Sequence, residues 1–131
     1  MKDSPHNRAT TLVASFRCAF DGLKHVIRTE RNARIHVVVA LAVAAMSFTL
    51  GCSALEFAVL ILAVGLVVVA EIANTVAETI VDLASPDYHE LARISKDVAA
   101  GGVLIAAMTS IVIGLIIMGP PLWAFFEKAT A

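Results

Sequence analysis

A stripe of polar side chains interrupts the second of three long apolar stretches in this sequence. Residues 70–83 read AEIANTVAETIVDL and directly follow a stretch, 57–70, that contains no charged residue. At about 100° per residue, five polar side chains of this segment fall within one arc of about 100° on a helix. They are Glu71, Asn74, Thr75, Glu78 and Asp82. The segment therefore predicts a membrane helix with one polar face.

Three carboxylates on one face of a membrane helix repel one another, and a charge near hydrocarbon is costly unless it is paired or ligated. A divalent cation, a cationic partner or a bound proton would remove the repulsion. We expect Glu71 at, or just inside, the cytoplasmic boundary of the bilayer, with Asp82 about 16 Å further along the helix axis. The alternative, in which these groups only hold helices together, fits Asn74 and Thr75 better than it fits the whole stripe.

The composition of the chain is that of a membrane protein. Of its 131 residues, 59% are hydrophobic and 16% are charged, whereas soluble domains carry about 25% charged residues. The net charge of −1 implies no electrostatic attraction to nucleic acid, so no nucleic-acid partner is expected. The partner that the composition predicts is the lipid bilayer.

The sequence predicts one all-α integral membrane domain, 1–131, with three transmembrane helices. The expected spans are 33–51, 55–83 and 98–120, each long enough for the roughly 20 apolar residues that a crossing needs, and a tight turn at 51–54 joins the first two. Before them, at about 10–30, apolar residues recur at steps of three and four among basic ones, which predicts an amphipathic helix on the membrane surface. Its apolar residues are Leu12, Phe16, Phe20, Leu23 and Ile27.

The distribution of positive charge predicts the orientation. Seven of the ten Lys and Arg residues lie before the first span or, as Arg34 does, at its start; two (Arg93 and Lys96) lie between the second and third spans, and none lies in the turn at 51–54. Because cytoplasmic loops are enriched in Lys and Arg, we expect the N-terminus and the 83–97 loop in the cytoplasm and the C-terminus outside. The predicted location is the cytoplasmic (inner) membrane, crossed several times.

Further charged residues lie on the same side of the membrane as the stripe. The segment RTERNARIH supplies Glu30, and SKDVAAGG supplies Lys96 and Asp97. Carboxylate oxygens suit Mg²⁺ together with phosphate oxygens, and lysine binds phosphate. Phosphoryl transfer needs this set, with one carboxylate to take a proton from an attacking hydroxyl. No Walker or kinase glycine-rich loop is present, so a nucleotide-binding fold of the soluble type is excluded. The expected acceptor is a lipid alcohol in the bilayer.

Three sequence segments together resemble a known family. They are ExxNTxxExxxD from Glu71 to Asp82, SPDYHELARISKDVAAG after it, and TERNARIH before it. They resemble the small prokaryotic integral-membrane lipid kinases, the diacylglycerol kinase and undecaprenol kinase family, over about residues 15–118. The resemblance implies a three-span homotrimer with an N-terminal surface helix, active sites shared between subunits, and MgATP as the phosphoryl donor. TERN and SPDYH are closer to the undecaprenol kinase branch, and both lipid alcohols stay open as substrates.

The resemblance also implies roles for individual residues. Glu71 matches the general base that deprotonates the lipid hydroxyl, and Glu30 and Glu78 match the metal ligands. Asn74, Thr75 and Asp82 match positions that organise the site or its substrate. Arg17 fits a phosphate contact and a headgroup contact equally well. The residues expected to bind the nucleotide are Arg17, Glu30, Glu78, Asp87, Tyr88, His89, Lys96 and Asp97.

A small ion-coupled transporter subunit is the alternative from another functional class, since one membrane carboxylate can drive proton exchange. A transporter favours an acid near the middle of the bilayer and an internal repeat, whereas here the acids gather at one face and no repeat is visible. We further expect that a lone subunit leaves its polar stripe facing lipid. Neighbouring subunits would then have to cover it, which favours a homotrimer.

Overall fold

The computed structural model describes residues 11–130 as four α-helices, with no strand among those residues. They are α1 (Leu12–Thr29), α2 (Arg31–Thr49), α3 (Ala54–Ala84) and α4 (Glu90–Thr130). The last three are each long and apolar enough to cross a membrane. The predicted fold class, a short amphipathic helix followed by three spans, is confirmed. The parts of the predicted domain and surface helix that fall on residues 1–10 and 131 lie outside the described residues.

A single residue separates α1 from α2. The side chain of Thr11 caps α1 by accepting a hydrogen bond from the backbone N–H of Ala14. At the other end, Glu30 has an extended backbone (φ −93°, ψ 119°), and its N–H donates to the carbonyl of Val26 at 2.8 Å. The next residue already belongs to α2. The linker between the two helices is therefore the single residue Glu30, and the chain changes direction there.

The turn between α2 and α3 has two local signals. Gly51 has a φ of 68°, the left-handed conformation that ends a helix at little cost for glycine. Ser53 then caps α3 in a capping box: its Oγ accepts from the backbone N–H of Glu56, and the Glu56 carboxylate accepts from the Ser53 N–H at 2.7 Å. Because Gly51 ends the helix, α2 stops at Thr49, two residues before the expected end of the first span.

The longest helix, α4, extends past the expected third span at both ends. It begins at Glu90, where His89 caps it by accepting from the backbone N–H of Leu91 at 3.1 Å. It continues through Pro120 and Pro121 to Thr130. Its 41 residues correspond to about 60 Å of helix, against a hydrocarbon core of about 30 Å. The helix is therefore longer than the hydrocarbon can hold, and Lys96 and Asp97 lie within its first eight residues.

The core of the subunit is narrow and is centred on α3. Buried residues of α3 recur at steps of three and four and face α2 and α4. Most of the large apolar side chains elsewhere, such as Leu62 and Ile116, are exposed, as expected for surfaces that meet lipid or another subunit. The buried residues of α3 are Leu60, Ala63, Val67, Glu71 and Thr75. A carboxylate and a hydroxyl thus lie on the same line as the apolar core.

Candidate active site

Glu71 lies in an almost closed apolar environment. Its side chain is on the buried face of α3, and the residue is only 3% exposed. It lines a small cavity of about 50 Å³ between three helices of the same chain. The other lining residues are Leu23, Val26 and Ile27 of α1, Ala33, His36 and Val37 of α2, and Val68 and Ile72 of α3. The expectation that a lone subunit leaves this part of the stripe facing lipid is therefore wrong, because α1 and α2 cover it.

Exposure to solvent increases along the stripe from Glu71 towards Asp82. Thr75 is also buried, and its Oγ1 donates to the backbone carbonyl of Glu71 at 3.1 Å. Asn74 and Glu78 are half-buried, and Asn74 Nδ2 donates to Glu78 Oε1 at 2.9 Å. Asp82 is exposed. The sequence pattern predicted one polar face, and the fold gives that face a buried end and an open end.

An apolar groove of about 530 Å³ lies between α1 and α3, next to Glu71 along α3. Among its lining residues, Thr75 and Thr79 add hydroxyl groups to a surface that is otherwise mostly hydrocarbon. The groove has the size and character of a site for an alkyl chain. Its lining residues are Ala19, Gly22, Leu23, His25, Val26, Ile72, Thr75, Val76, Thr79 and Ile80.

A second, polar cleft of about 280 Å³ lies at the other end of the stripe, where the 85–89 loop joins α3 to α4. In it, Lys96 Nζ of α4 donates to Asp82 Oδ1 of α3 at 2.5 Å. The fold thus brings together five of the residues singled out in the sequence, which come from a helix, a loop and the next helix. They are Asp82, Asp87, Tyr88, His89 and Lys96.

Four of the expected nucleotide-binding residues lie outside the lining of this cleft: Arg17, Glu30, Glu78 and Asp97. Asp97 is exposed and pairs with Arg93 at 2.7 Å. Arg17 is exposed on α1. Glu30 is half-buried at the joint between α1 and α2. The roles expected for these residues stay predictions.

Two residues of these regions were missed by the sequence analysis. Arg93, counted there only for its charge, lines the cleft and bridges Glu90 at 2.6 Å and Asp97 at 2.7 Å. The spacing of these three residues, at steps of three and four on a helix, could have revealed the bridge. His36 lines the Glu71 cavity. The indication for His36 in the sequence was weaker: its spacing of three residues from Ala33 is what places it on the inward face of α2.

The acidic residues do not form a complete metal site by themselves. Within residues 11–130, no three His, Cys, Asp or Glu side chains converge closely enough to hold a metal ion. Asn74 Oδ1, however, is buried without a hydrogen-bond partner beside Glu78. An unpaired amide oxygen next to a carboxylate is the type of donor set that hard cations prefer. Such a site would be completed by oxygens that a ligand brings.

Comparison with known proteins places the chain in a family. The sequence model of the prokaryotic diacylglycerol kinase family matches residues 17–118. The chain is 43% identical over 115 residues to a diacylglycerol kinase of Synechocystis sp., covering 87% of this chain and 66% of that protein. It is 37% identical over 116 residues to the undecaprenol kinase of Bacillus subtilis, covering 88% and 94%.

A more distant relative extends the same pattern. The diacylglycerol kinase of Escherichia coli is 29% identical over 117 residues, a match that covers 89% of this chain and 93% of that protein. The family match and the relatives agree with the resemblance drawn from the motif around Glu71 and the SPDYH and KD segments. The chain therefore belongs to the prokaryotic diacylglycerol kinase family, a family of lipid kinases.

Proposed function

We propose that this protein is an ATP- and Mg²⁺-dependent kinase that phosphorylates the hydroxyl of a membrane lipid alcohol at the cytoplasmic surface of the inner membrane. The observation that carries the proposal is the arrangement along α3. A buried carboxylate lies beside an apolar groove, and the same helix continues to a polar cleft that contains a lysine. Membership of a lipid kinase family favours this function over the alternative of an ion-coupled transporter.

The apolar end of α3 suits the lipid substrate. Glu71 lies 17 residues after the start of α3, or about 26 Å along the axis, which is close to the thickness of the hydrocarbon core. The groove between α1 and α3 begins beside Glu71, at Ile72, and continues towards Ile80, so a lipid alcohol whose headgroup end entered it would bring its hydroxyl near the level of Glu71. The lipid would reach this level from the inner leaflet, without leaving the bilayer.

The cleft at the 85–89 loop suits the nucleotide. Lys96 supplies a positive charge for phosphate oxygens, and it is held by the exposed Asp82, a partner that a phosphate could replace. Asp87, Tyr88 and His89 line the same cleft and offer polar and aromatic contacts. In this proposal Asp97 and Arg17 contribute from its periphery, and ATP stays in the cytoplasm.

The donor groups of the site fit a magnesium ion that binds together with the nucleotide. Glu30 and Glu78 would hold it, and Asn74, whose Oδ1 lacks a partner, would orient Glu78 through the hydrogen bond from its Nδ2. Mg²⁺ typically takes one or two carboxylates and completes its shell with phosphate and water oxygens. When bound, the ion would neutralise charge on the transferring phosphoryl group.

The proposed reaction uses Glu71 as the general base. Its carboxylate accepts the proton of the lipid hydroxyl, and the hydroxyl oxygen forms a bond to the γ-phosphorus of ATP. The bond between the γ-phosphorus and the oxygen bridging to the β-phosphorus breaks, and ADP leaves. The apolar walls around Glu71 exclude water, which would otherwise compete with the lipid hydroxyl for the γ-phosphate. Thr75, bonded to the backbone of Glu71, would fix the local geometry.

The direct test uses the purified protein in lipid nanodiscs, with [γ-³²P]ATP, Mg²⁺ and either undecaprenol or diacylglycerol. We expect label in an extractable lipid phosphate, absent when Mg²⁺ is chelated. The lipid that gives the higher kcat/KM identifies the substrate. Failure to label either lipid, with protein that is folded by circular dichroism, would reject the proposed function.

The homotrimer with shared active sites is part of the proposal and has its own test. Alone, a Glu71→Gln subunit is expected to be nearly inactive, and a Lys96→Ala subunit is expected to be weak when ATP is kept below its raised KM. If base and lysine in one site come from different chains, mixed oligomers should regain part of the activity. A mixture no more active than its two components would place both groups in one chain.

The proposed orientation can be tested by thiol labelling of single-cysteine variants, with Cys18 and Cys52 replaced by Ser. Reagent added from the cytoplasmic side should label Ser4→Cys and Glu90→Cys, and reagent added from outside should label Thr130→Cys. Labelling of Glu90→Cys from outside would place the cleft on the wrong side of the membrane for ATP.

A further inference from the structure

His36 is an ionisable residue on the packing face of a membrane-spanning helix. The inward residues of α2 recur at steps of three and four, and within α2 His36 is the only one of them with an ionisable side chain. It is half-buried, at the same end of the helix as the buried Ala33. The other inward residues are small or aliphatic: Ala33, Ala40, Val43, Ala44 and Ser47. A histidine in this position needs a polar partner, because an unpaired polar group in an apolar setting is costly.

The partner that the fold offers is Glu71. His36 of α2 and Glu71 of α3 are the only polar side chains lining their shared cavity of about 50 Å³; the others, from α1, α2 and α3, are aliphatic. Of the other side chains that line this cavity, only the imidazole can donate a hydrogen bond to the carboxylate when that is ionised.

The surroundings of His36 provide for both of its ring nitrogens. The cavity shared with Glu71 is large enough for a bridging water, which needs about 10–15 Å³. His36 also lines a groove of about 210 Å³ between α2, α3 and α4, where Ser110 of α4 is the other polar residue. One nitrogen would then serve Glu71, and the Ser110 hydroxyl is the candidate partner for the other.

We propose that His36 is a positioning residue for Glu71: its imidazole donates a hydrogen bond to the buried carboxylate, directly or through one water, and orients it towards the lipid hydroxyl. This inference rests on the proposed role of Glu71 as the base. A glutamate has three rotatable side-chain bonds, so an unrestrained carboxylate would spend time away from the hydroxyl. A histidine N–H restrains it without the permanent charge of Arg, which would hold the carboxylate in an ion pair.

The kinetic test compares His36→Leu, which removes the donor and keeps the bulk, with His36→Gln, which keeps an N–H donor. We expect His36→Leu to lower kcat about 10- to 100-fold, the range for a hydrogen bond to a charged group, with the KM for ATP unchanged. His36→Gln should recover most of kcat. The matched control is Ser47→Ala, a polar-to-apolar change on the same face of α2 about 16 Å away, which should leave kcat unchanged.

A double variant tests whether His36 acts through Glu71. In a Glu71→Gln background, His36→Leu should have no further effect on the residual turnover, because residues that act as a unit are non-additive. If the two losses multiply instead, His36 affects the enzyme by another route and the proposal is wrong. The proposal is also overturned if His36→Leu keeps the kcat of the wild type.

A spectroscopic test does not depend on turnover. The four histidines of the chain can be labelled with ¹⁵N in the ring, and the His36 signals assigned by their loss in His36→Gln. Glu71→Gln should shift the His36 ring resonances, and Ser47→Ala should not. Unshifted resonances would disprove the contact even if the wild type phosphorylates lipid. A shift in a protein that transfers no phosphate would instead confirm the contact and reject the kinase role on which the catalytic part of the proposal rests.

Discussion

The two ends of the polar face of α3 differ in their access to water. At one end, Glu71 is 3% exposed and is surrounded by aliphatic side chains of three helices. At the other end, Asp82 pairs with Lys96 in a cleft where their side chains are 65% and 36% exposed. Along α3, the buried carboxylate of Glu71 is thus only eleven residues, or about 16 Å, from the solvent-exposed ion pair of Asp82 and Lys96.

This difference predicts a gradient in the effect of mutations. Electrostatic interactions strengthen as water is excluded, whereas ion pairs in contact with water contribute little and are screened by salt. A change at the dry end should therefore affect the chemical step strongly. Changes at the wet end should affect nucleotide binding moderately and should depend on ionic strength.

The largest effect is expected for Glu71→Gln. The amide keeps the shape of the side chain but cannot accept the hydroxyl proton, and loss of a general base typically costs about 10² to 10⁴ in rate. The KM for ATP should stay near that of the wild type, because the cleft is remote. Steady-state kinetics in nanodiscs, with circular dichroism as the control for folding, will measure this. Turnover close to the wild type would remove Glu71 from the base role.

The next largest effect is expected for Glu30→Ala and Glu78→Ala. Each should raise the Mg²⁺ concentration required for half-maximal activity, because each removes an oxygen donor for a hard cation. The double variant should lose less than the product of the two single losses, as residues that act through one ion do. Mg²⁺ titrations of all three variants test this. Independent losses with an unchanged Mg²⁺ requirement would contradict a shared ion.

Lys96→Ala should have a moderate effect that is concentrated on the nucleotide. We expect the KM for ATP to rise about tenfold, in line with loss of one charge-assisted hydrogen bond, and the KM for lipid to stay the same. The difference from the wild type should shrink as salt is raised, because the lysine is in contact with solvent. Lys96→Arg is the matched control that keeps the charge. An effect on the lipid KM alone would contradict the assignment of the cleft to ATP.

Arg93→Ala should have the smallest effect of the series. Its ion pairs with Glu90 and Asp97 lie on the surface of α4, and exposed pairs of this kind contribute little. We expect less than about a threefold change in kcat/KM for ATP and an unchanged melting temperature. A change as large as that of Lys96→Ala would show that Arg93 contacts the nucleotide. The nucleotide site would then include the exposed ion pairs on the surface of α4.

The sequence predicted the features that depend on local periodicity. The polar face of α3 was evident from the spacing of Glu71, Asn74, Thr75, Glu78 and Asp82, because side-chain directions repeat along a helix. The fold class followed from the apolar spans, and the family from motifs that include the 85–101 segment. The fold class and the family are confirmed, while the roles of the individual site residues stay predictions.

The sequence did not predict how the helices pack. A single-helix pattern cannot show that Leu23, Val26 and Ile27 of α1 cover Glu71, so the expectation of a lipid-facing stripe was wrong at its buried end. The apolar pattern predicted a third span at 98–120 and did not show that the helix containing it begins at Glu90, next to the cap at His89. The first difference arises from contacts between segments that are distant in sequence, and the second from a capping hydrogen bond. A hydropathy pattern contains no information about either.

The one-residue joint at Glu30 also restricts insertions and deletions in this gene. One extra residue absorbed into the end of α1 would rotate its apolar side chains by about 100° relative to α2. Leu23, Val26 and Ile27 would then turn away from Glu71, although every original residue would still be present. The 85–89 loop, whose residues are mostly exposed, could change in length with less disturbance of the helices. We therefore expect the spacing between the first two helices to be required as strictly as the acidic residues themselves. In a relative whose alignment has a gap at position 30, the residues of α1 would no longer cover the carboxylate that corresponds to Glu71.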